Sequence, residues 1–505
     1  MDRPNLLILM ADQLAARVLR AYGGGIARTP HIDALADEGV VFDSFYCNSP
    51  LCAPSRFSFL AGQLPSKIGA YDNAAEYPAQ IPTFAHYLRR AGYQTALAGK
   101  MHFCGPDQLH GFEERLTTDI YPSDFGWTPD WSAFEQRPSW YHSMDSVIHA
   151  GACTRTNQID FDDEVVVAAR QKLFDLARSR DRRAFCLVVS MTHPHDPYVI
   201  PHVYWNRYRD EEIDLPRVPD LSGSEDPHSR RLRHVIGLDR VRPTAAQVRA
   251  ARRAYFGAVS YVDDQIGSLV ATLKEAALDA NTVVVVLADH GDMLGERGLW
   301  YKMNFFEPAA RIPFIVHAPS RFAARRVAAP ASLLDLLPTL VTLAYSGATP
   351  AYAAPIDGVS LLPALEGGGA ASGEVIGEYL AEGAIAPIIM IRRGHNKFVH
   401  SPVDPDQLYD VSADPDERVN LAARAGRAQL VADFRSEVAR RWNLPMLHEA
   451  VLASQHRRHF VYAALREGRF TPWDFQPLRD ASRLYIRNDQ PLEEQEDLAR
   501  FPRLA

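Results

Sequence analysis

The chain has 505 residues, of which 62 are acidic and 54 are basic, so its formal net charge is −8. An apolar content of 47% and a charged content of 23% are typical of a folded globular protein and exclude a disordered, collagen-like or coiled-coil chain. Net acidity without a basic stripe argues against nucleic acid as a partner. The five cysteines are too few and too scattered for a disulfide framework, and none forms a CxxC pair that would indicate zinc.

The sequence contains no visible secretory signal or membrane span. The apolar run at 5–10 is too short for a signal peptide, and no stretch of about 18 consecutive apolar residues occurs. We therefore expect a cytoplasmic protein with no membrane partner.

Short apolar runs alternate with amphipathic stretches along the first two thirds of the chain. Runs of this kind, buried on both faces, are typical of a parallel sheet covered by helices. The alternation predicts βαβ units and a doubly wound α/β sheet. The predicted strands cover 6–10, 95–98, 185–190, 283–287 and 313–317, and the predicted helices cover 83–91, 163–179 and 245–278.

Two irregular insertions interrupt this alternation. One, at 122–156, is rich in Trp, Pro and Tyr, and a more polar one covers 204–243. Because such excursions in α/β enzymes usually build the substrate pocket, we expect the pocket to be lined by these segments.

A glycine-rich break at 366–373 marks a change in the pattern. Beyond it, short apolar runs separated by a Gly-His-Asn turn predict a small antiparallel sheet and then a helix. These strands cover 375–380, 388–393 and 397–400, and the helix covers 427–442. We therefore predict a catalytic α/β domain at 1–373, a smaller α+β subdomain at 374–472 and a tail at 473–505.

Four of the predicted strands end in charged or imidazole side chains. In open α/β sheets, ligands bind beyond the carboxyl ends of the strands. Any one of these ends is equally well explained as a solvated loop, but four together indicate a single site. In chain order the residues are Asp12 and Gln13, Lys100 and His102, His193 and His195, and Asp289, His290 and Asp292.

Within this set, Asp12, Asp289 and His290 would supply two carboxylates and an imidazole to a divalent cation. Sites rich in oxygen ligands favour Ca²⁺, Mg²⁺ or Mn²⁺ over zinc. Cationic and proton-donating side chains around a metal indicate a site for an oxyanion such as sulfate or phosphate. Those side chains are Arg56, Lys100, His102, His193 and Lys302.

The segment Cys52-Ala-Pro-Ser-Arg56 opens a predicted helix at 54–62. A thiol at this position would lie at the positive end of the helix dipole, which favours a thiolate and nearby anions. Taken alone, Cys52 is equally well explained as an ordinary free thiol at the end of a helix.

The same five residues have the Cys-x-Pro-x-Arg form that marks the type I sulfatases, and the chain resembles that family over nearly its full length. The family's other segments follow in order at 12–13, 99–102, 192–193, 289–291 and 408–421. The resemblance implies an alkaline-phosphatase-like fold, a doubly wound mixed sheet with a smaller C-terminal α+β subdomain. It also implies two cofactors: a divalent metal, Ca²⁺ in the first instance with Mg²⁺ or Mn²⁺ as alternatives, and formylglycine, made from Cys52 by a formylglycine-generating maturation enzyme.

One branch of the family, the choline-sulfatases, is the most similar. The segments that resemble it lie at 11–14, 69–73, 125–131, 298–302 and 485–488. This resemblance implies a sulfuric ester hydrolase that converts choline sulfate to choline and sulfate. It also implies a homo-oligomer, a dimer or tetramer, in which the tail contacts a neighbouring subunit.

The resemblance assigns a chemical role to several residues. Formylglycine 52 would be the nucleophile, with Arg56 orienting its hydrate. His193, helped by Lys302, would protonate the leaving alcohol, and His102 would deprotonate the remaining hydroxyl so that sulfate leaves. Many sulfatases have a second Asp where this chain has Gln13, which is therefore expected behind the metal rather than on it. The implied metal ligands are Asp12, Cys52, Asp289 and His290.

The two ends of the substrate are assigned to different side chains. Asn73, Lys100 and Lys302 would contact the sulfate oxygens. A quaternary ammonium group binds to aromatic faces and carboxylates. The resemblance assigns this role to Trp127, His142 and Glu378.

Three alternatives stay open. A phosphonate monoester or phosphodiester hydrolase of the same superfamily would share the nucleophile and the metal, and so would an arylsulfatase. From a different class, a non-catalytic protein that binds a metal or an osmolyte would keep the site without turnover.

Overall fold

The computed structural model describes residues 3–347, 350–369, 371–478 and 491–500. The strands are β1 Asn5–Ala11, β2 Val40–Phe42, β3 Phe45–Tyr46, β4 Gln94–Gly99, β5 Glu114–Arg115, β6 Gly151–Cys153, β7 Phe185–Met191, β8 Val199–Pro201, β9 Thr282–Ala288, β10 Phe314–His317, β11 Arg325–Val327, β12 Ala331–Ser332, β13 Glu374–Tyr379, β14 Ile388–Arg393, β15 Asn396–Ser401 and β16 Asp404–Asp410. The α-helices are α1 Pro30–Glu38, α2 Cys52–Ala61, α3 Pro65–Ile68, α4 Phe84–Arg90, α5 Asp145–Ile148, α6 Asn157–Arg178, α7 His202–Trp205, α8 Pro227–Val235, α9 Ala245–Glu275, α10 Glu307–Ala310, α11 Leu336–Ala344, α12 Leu362–Glu366, α13 Ala428–Arg441, α14 Leu444–Leu465 and α15 Leu492–Ala499.

A mixed sheet of eight strands forms the centre of the molecule, in the order β11-β2-β10-β9-β1-β7-β4-β5. Strands β9, β1, β7 and β4 run parallel, whereas β10 is antiparallel to both of its neighbours. The order of strands reverses direction around β1, and such a switch point is where an α/β sheet opens a crevice for ligands.

The central strands are apolar at nearly every position because helices cover both faces of the sheet. Residues Leu6 to Ala11 of β1 have no exposed surface, and β9 presents an unbroken Val-Val-Val-Val-Leu run. On one face, α9 lies against α6, and its first turn is fixed by a capping box in which Thr244 and Gln247 bond to each other's backbone amides.

The C-terminal part of the chain forms a second, smaller sheet. Strands β13 to β16 make an antiparallel meander, and α13 packs on it through Phe434, whose ring stacks on Phe398 at 5.2 Å. Lys397 of β15 reaches the large sheet domain, donating to the Phe305 carbonyl at 2.7 Å and pairing with Glu307 at 2.9 Å. The two sheets are therefore joined by buried polar contacts.

The predicted fold class is confirmed: a doubly wound mixed α/β sheet is followed by a small α+β unit. All five predicted strands of the large sheet are present, each within one residue of the predicted ends. Helix α6 begins six residues earlier than predicted, at the Thr156 cap, and α14 was not predicted. The boundaries at 373 and 472 stay predictions, and the tail segment 485–488 lies outside the described residues.

Among the helices that the structure describes, none is both long enough and apolar enough to cross a lipid bilayer.

Candidate active site

The carboxyl ends of the parallel strands deliver the polar residues that the sequence singled out. Strand β1 leads into Asp12, β4 into Lys100, β7 into His195 and β9 into Asp289 and His290. All five side chains are buried. Charged groups are rarely buried unless they are paired or bind a ligand, so this edge of the sheet has the character of a functional site.

Asp12, Cys52, Asp289 and His290 form a compact cluster in which each offers one ligand atom within 4.8 Å of the others. The Cys52 Sγ lies 3.2 Å from the His290 Nε2 and 4.0 Å from the Asp12 Oδ1. The His290 Nε2 is 3.7 Å from an oxygen of each carboxylate. The structure thus brings together all four residues predicted as metal ligands.

The donor set of this cluster fits a divalent cation. The His290 Nδ1 lies 3.1 Å from the Gly291 carbonyl, which fixes the proton on Nδ1 and leaves Nε2 free as a ligand atom. Burial raises the pKa of Asp12, but Lys100 and the other nearby cations outweigh it, and the net pKa lies well below the usual range. Ionised carboxylates and a neutral imidazole are the forms that bind metal.

Arg56 lies behind the cluster and is completely buried. Its guanidinium donates to the Asp289 Oδ2 at 2.8 Å, the Asp12 Oδ2 at 3.1 Å and the Ser190 Oγ at 2.8 Å. The Lys100 ammonium pairs with Asp12 and lies 3.6 Å from the Cys52 Sγ. Two buried cations therefore pair with Asp12, and one of them, Lys100, also lies beside the thiol.

Lys302 and Asn73 bond to Gln13 and Ala53, which are the sequence neighbours of two cluster residues. The Lys302 Nζ lies 2.7 Å from the Gln13 Oε1 and 2.7 Å from the His195 Nε2. The Asn73 Oδ1 accepts from the backbone N–H of Ala53 at 3.0 Å, so its NH₂ group is left to donate elsewhere. The Gln13 Nε2 donates to Asp292, which lies outside the cluster, at 2.6 Å.

His193, the predicted acid, does not line the cleft that Cys52 opens into. His195 lines it instead and lies beside Lys302. The His193 Nδ1 instead bonds to the Asp162 carboxylate at 2.7 Å, and its ring packs against Tyr261. Burial and then Lys302 hold the pKa of His195 well below the usual range, so its imidazole is neutral.

His102 has an unusual environment for a buried histidine. Its backbone N–H donates to Asp119 at 2.8 Å, but within the described residues neither ring nitrogen has a hydrogen-bond partner. The ring lies against the edges of Tyr121 and Trp127 at centroid distances of 5.3 and 5.7 Å. A buried imidazole with two unused nitrogens is available to a bound ligand.

A cleft of about 480 Å³ extends from Cys52 and Asn73 into the aromatic insertion. Trp127 and Trp140 line it with nearly parallel rings 6.3 Å apart. His142 also lines it, stacked on Tyr301 and bonded to Asp196. The predicted pocket-forming role of this insertion agrees with its position here.

Glu378, predicted to bind the ammonium group, does not line this cleft. As part of β13, its carboxylate turns away and accepts bonds from Ser66 and from the Trp442 Nε1, at 2.6 to 2.8 Å. Two carboxylate residues line the cleft, Asp196 and Glu382, and Glu382 lies four residues beyond Glu378 in the sequence. Within the described residues, the Glu382 Oε2 has no hydrogen-bond partner, and burial, with Asp72, raises the pKa of this group to about 7.

Tyr121 is a cleft residue that sequence reasoning missed. The Lys100 Nζ lies 4.2 Å from its ring centroid, and its hydroxyl lies 3.4 Å from the His195 Nδ1. It also contacts Trp127 at 5.0 Å, so it joins the cationic end of the cleft to the aromatic end. Tyr121 immediately precedes the predicted insertion, and counting it with that aromatic-rich segment would have identified it.

Comparisons with known proteins agree with this geometry. Residues 4–346 match the sulfatase family profile, residues 295–443 match the profile described as N-sulphoglucosamine sulphohydrolase, C-terminal, and residues 449–501 match the choline sulfatase enzyme C terminal. The solved phosphonate monoester hydrolase of Agrobacterium radiobacter covers 88% of this chain and 96% of its own, with a TM-score of 0.69 at 23% identity. This likeness concerns the fold, and it confirms the alkaline-phosphatase-like architecture.

Two curated relatives extend the comparison. A choline-sulfatase of Rhizobium meliloti is 48% identical over 99% of both chains, and an arylsulfatase of Clostridium perfringens is 26% identical over 83% of this chain and 90% of its own. With the cluster around Cys52 and the sulfatase profile over more than half of the sequence, these findings show that the chain belongs to the sulfatase family and is a sulfuric ester hydrolase.

Proposed function

We propose that this sulfatase hydrolyses choline sulfate to choline and sulfate. The observation that carries the proposal is the cleft, which runs from Cys52, where the buried Lys100 ammonium lies 3.6 Å from the Sγ, to an aromatic and acidic end at Trp127 and Glu382. A sulfate ester joined to a quaternary ammonium group has the matching pair of charges. Similarity to the choline-sulfatase of Rhizobium meliloti over the full chain supports the same substrate.

We assign the ammonium group to the aromatic end. Trp127 offers a ring face, and Glu382 offers a carboxylate oxygen with no hydrogen-bond partner among the described residues. A cation placed between them is attracted both by the quadrupole of the indole ring and by the negative charge of the carboxylate, and burial strengthens both attractions. His142 forms the adjoining wall of the cleft. Glu378 is not assigned to the ammonium group, because it does not line the cleft and its carboxylate accepts a bond from Trp442.

We assign the sulfate group to the cationic end. Lys100 and Lys302 carry the charges, and the NH₂ group of Asn73 is a third donor, because its Oδ1 is already bonded to the start of α2. Burial acts to lower the pKa of Lys100, but Asp12 and Cys52 outweigh it and raise the pKa, so this ammonium stays charged. Charged donors that are fixed before binding are the groups that stabilise an oxyanion during reaction.

We further propose that residue 52 acts as formylglycine and that the acidic cluster holds Ca²⁺. An aldehyde hydrate supplies a hydroxyl nucleophile and a second hydroxyl whose deprotonation expels sulfate, and the metal lowers the cost of negative charge on oxygen. Asp12, Asp289 and His290 are the residues that would hold the metal. Arg56, bonded to both carboxylates, keeps them in place beside residue 52.

Two residues of this chain are suited to hold the proton that a leaving alcohol needs. The Lys302 Nζ and the His195 Nε2 are 2.7 Å apart, and because His195 is neutral, the shared proton is held on Lys302. From this pair the proton reaches the alcohol oxygen of an ester bound in the cleft. His102, with both ring nitrogens unused among the described residues, is the matching base.

The decisive experiment measures sulfate release from choline sulfate while mass spectrometry determines the state of residue 52. We expect activity to rise with the fraction of formylglycine, to disappear on chelation and to return with Ca²⁺. Trp127→Ala should raise KM for choline sulfate by about tenfold, the size of a buried cation–π contact, and should raise it less for the carbon isostere, in which an uncharged quaternary carbon replaces the ammonium nitrogen. Full activity with unmodified Cys52 would contradict the formylglycine proposal.

Related chemistries are separated by the same assay. Faster turnover of a phosphonate monoester, a phosphodiester or an aryl sulfate than of choline sulfate would favour the corresponding hydrolase. Binding of choline sulfate without sulfate release, in protein whose residue 52 is formylglycine, would indicate a non-catalytic binding protein.

A formylglycine-generating maturation enzyme is a necessary partner in this proposal. We also propose a cytoplasmic location and a homo-oligomer. The cysteines, all within the described residues, form no disulfide, which fits a reducing compartment.

A further inference from the structure

Helix α14 lies behind the aromatic end of the cleft and holds the segment that carries Trp127. The Gln455 Oε1 accepts from the backbone N–H of Trp131 at 2.9 Å. The His459 Nε2 lies 3.2 Å from the Pro129 carbonyl. The residues of α14 that face inward therefore bond to the backbone of this segment rather than only pack against it.

Arg458, between these two contacts, bonds to two separate segments at once. Its guanidinium makes a bidentate pair with Asp72, at 2.5 Å to Oδ1 and 2.7 Å to Oδ2, and it donates to the Thr128 Oγ1 at 3.3 Å. Arg458 is 6% exposed and Asp72 is not exposed at all. The planar fork of arginine can hold a carboxylate and a third acceptor in fixed directions, which a lysine cannot do.

Each partner of Arg458 is the sequence neighbour of a residue in the cleft. Asp72 precedes Asn73, whose Oδ1 accepts from the N–H of Ala53 beside Cys52. Thr128 follows Trp127, and its hydroxyl donates to the Phe125 carbonyl at 2.8 Å, which closes the turn that presents the indole. The guanidinium thus contacts the sequence neighbour of Asn73, at the proposed sulfate end, and the sequence neighbour of Trp127, at the proposed ammonium end.

We propose that Arg458 is a positioning residue that fixes the distance between the two ends of the cleft, so that α14 determines substrate length and specificity. The inference rests on the proposed choline sulfate activity. Arg458 itself does not line the cleft, and it acts only through Asp72 and Thr128. A pair that merely stabilised the fold would, when removed, lower activity toward every sulfate ester alike.

The mildest test removes the Thr128 hydroxyl, which bonds both to Arg458 and to the Phe125 carbonyl. Thr128→Val should raise KM for choline sulfate about fivefold to tenfold, with kcat within about twofold. The kinetic constants for ethyl sulfate, which has an aliphatic leaving group but no ammonium group, should stay unchanged. Thr128→Ser keeps the hydroxyl and should restore KM for choline sulfate.

Arg458→Lys tests the guanidinium itself. It keeps a positive charge next to Asp72 but loses the fork, so KM for choline sulfate should rise by about tenfold or more while the constants for ethyl sulfate change little. Arg457→Met, at the exposed neighbouring position on the same helix, is the matched control and should behave like the wild type.

The outcomes separate the two proposals. If the unaltered enzyme releases no sulfate from choline sulfate, the proposed function fails. If the enzyme is active but Thr128→Val and Arg458→Lys change both substrates equally, or change neither, the positioning role of Arg458 is wrong and the pair is only structural.

Discussion

At the scale of single residues, Glu382 has the property most easily tested. Burial and Asp72 raise the pKa of its carboxyl to about 7, with Lys302 opposing them. The ionised form attracts a quaternary ammonium group, whereas the protonated form does not, so affinity should fall as the pH drops through 7. With a pKa near 7, the ionised fraction falls about tenfold between pH 8 and pH 6, and KM for choline sulfate should rise by a similar factor.

The carbon isostere of choline sulfate provides the control for this pH dependence. Its KM should stay nearly constant between pH 6 and 8, because it has no positive charge to pair with Glu382. In Glu382→Gln, KM for choline sulfate should be high at every pH. An equal pH dependence of KM for both substrates would mean that another group titrates and that Glu382 does not pair with the cation.

Part of this site could be predicted from the residues alone. Asp12, Asp289 and His290 follow apolar runs that became β1 and β9, and the rule that parallel strands end together brings them to one edge. His193 and His195 both follow β7, and only tertiary structure decides which imidazole bonds to Asp162 and which faces Lys302.

At the scale of elements, the end of β4 depends on one glycine. Gly99 has φ +96°, and a Cβ placed on it would lie 2.0 Å from the Ser190 carbonyl oxygen of β7. This close approach lets the Lys100 amide bond to the same oxygen and places the Lys100 carbonyl against Arg56. Gly99→Ala should therefore lower the free energy of unfolding by about 2–4 kcal/mol and reduce kcat, because a positive φ and a backbone clash act together.

Thermal unfolding and steady-state kinetics check this prediction. Gly426→Ala is the matched control, since a Cβ there would meet no atom within 4 Å. Its unfolding temperature and kcat should equal those of the wild type. Wild-type stability and kcat in Gly99→Ala would show that β4 and β7 can separate without disturbing Lys100.

Helix α14 shows what sequence periodicity cannot reveal. Its inward face begins with Leu447 and Val451 but continues with the polar Gln455 and Arg458, while Phe460 faces outward. The buried face is therefore apolar in the first half of the helix and polar in the second half, so no continuous hydrophobic stripe identifies this helix in the sequence. The inward polar residues are explained only by the segment they hold, which is more than 300 positions away in the sequence.

At the scale of the whole molecule, we predict a homo-oligomer that forms through the outer surface near the C terminus. Phe460 and Met446 of α14 are 72% and 62% exposed, and Leu492 of α15 is 49% exposed. Exposed apolar patches are typical of protein interfaces, and we predict that these residues contribute to one. We expect light scattering to give the mass of a dimer or tetramer at micromolar concentration.

Phe460→Asp locates the interface. A charge placed at the centre of an apolar contact should shift the enzyme to a smaller species with an unchanged circular dichroism spectrum, because an exposed residue contributes little to the fold of one subunit. Val167→Asp is the control, since Val167 of α6 is 65% exposed but lies far from α14 in the sequence. A monomeric wild-type enzyme would overturn the oligomer, and a Phe460→Asp variant of unchanged mass would place its contacts elsewhere.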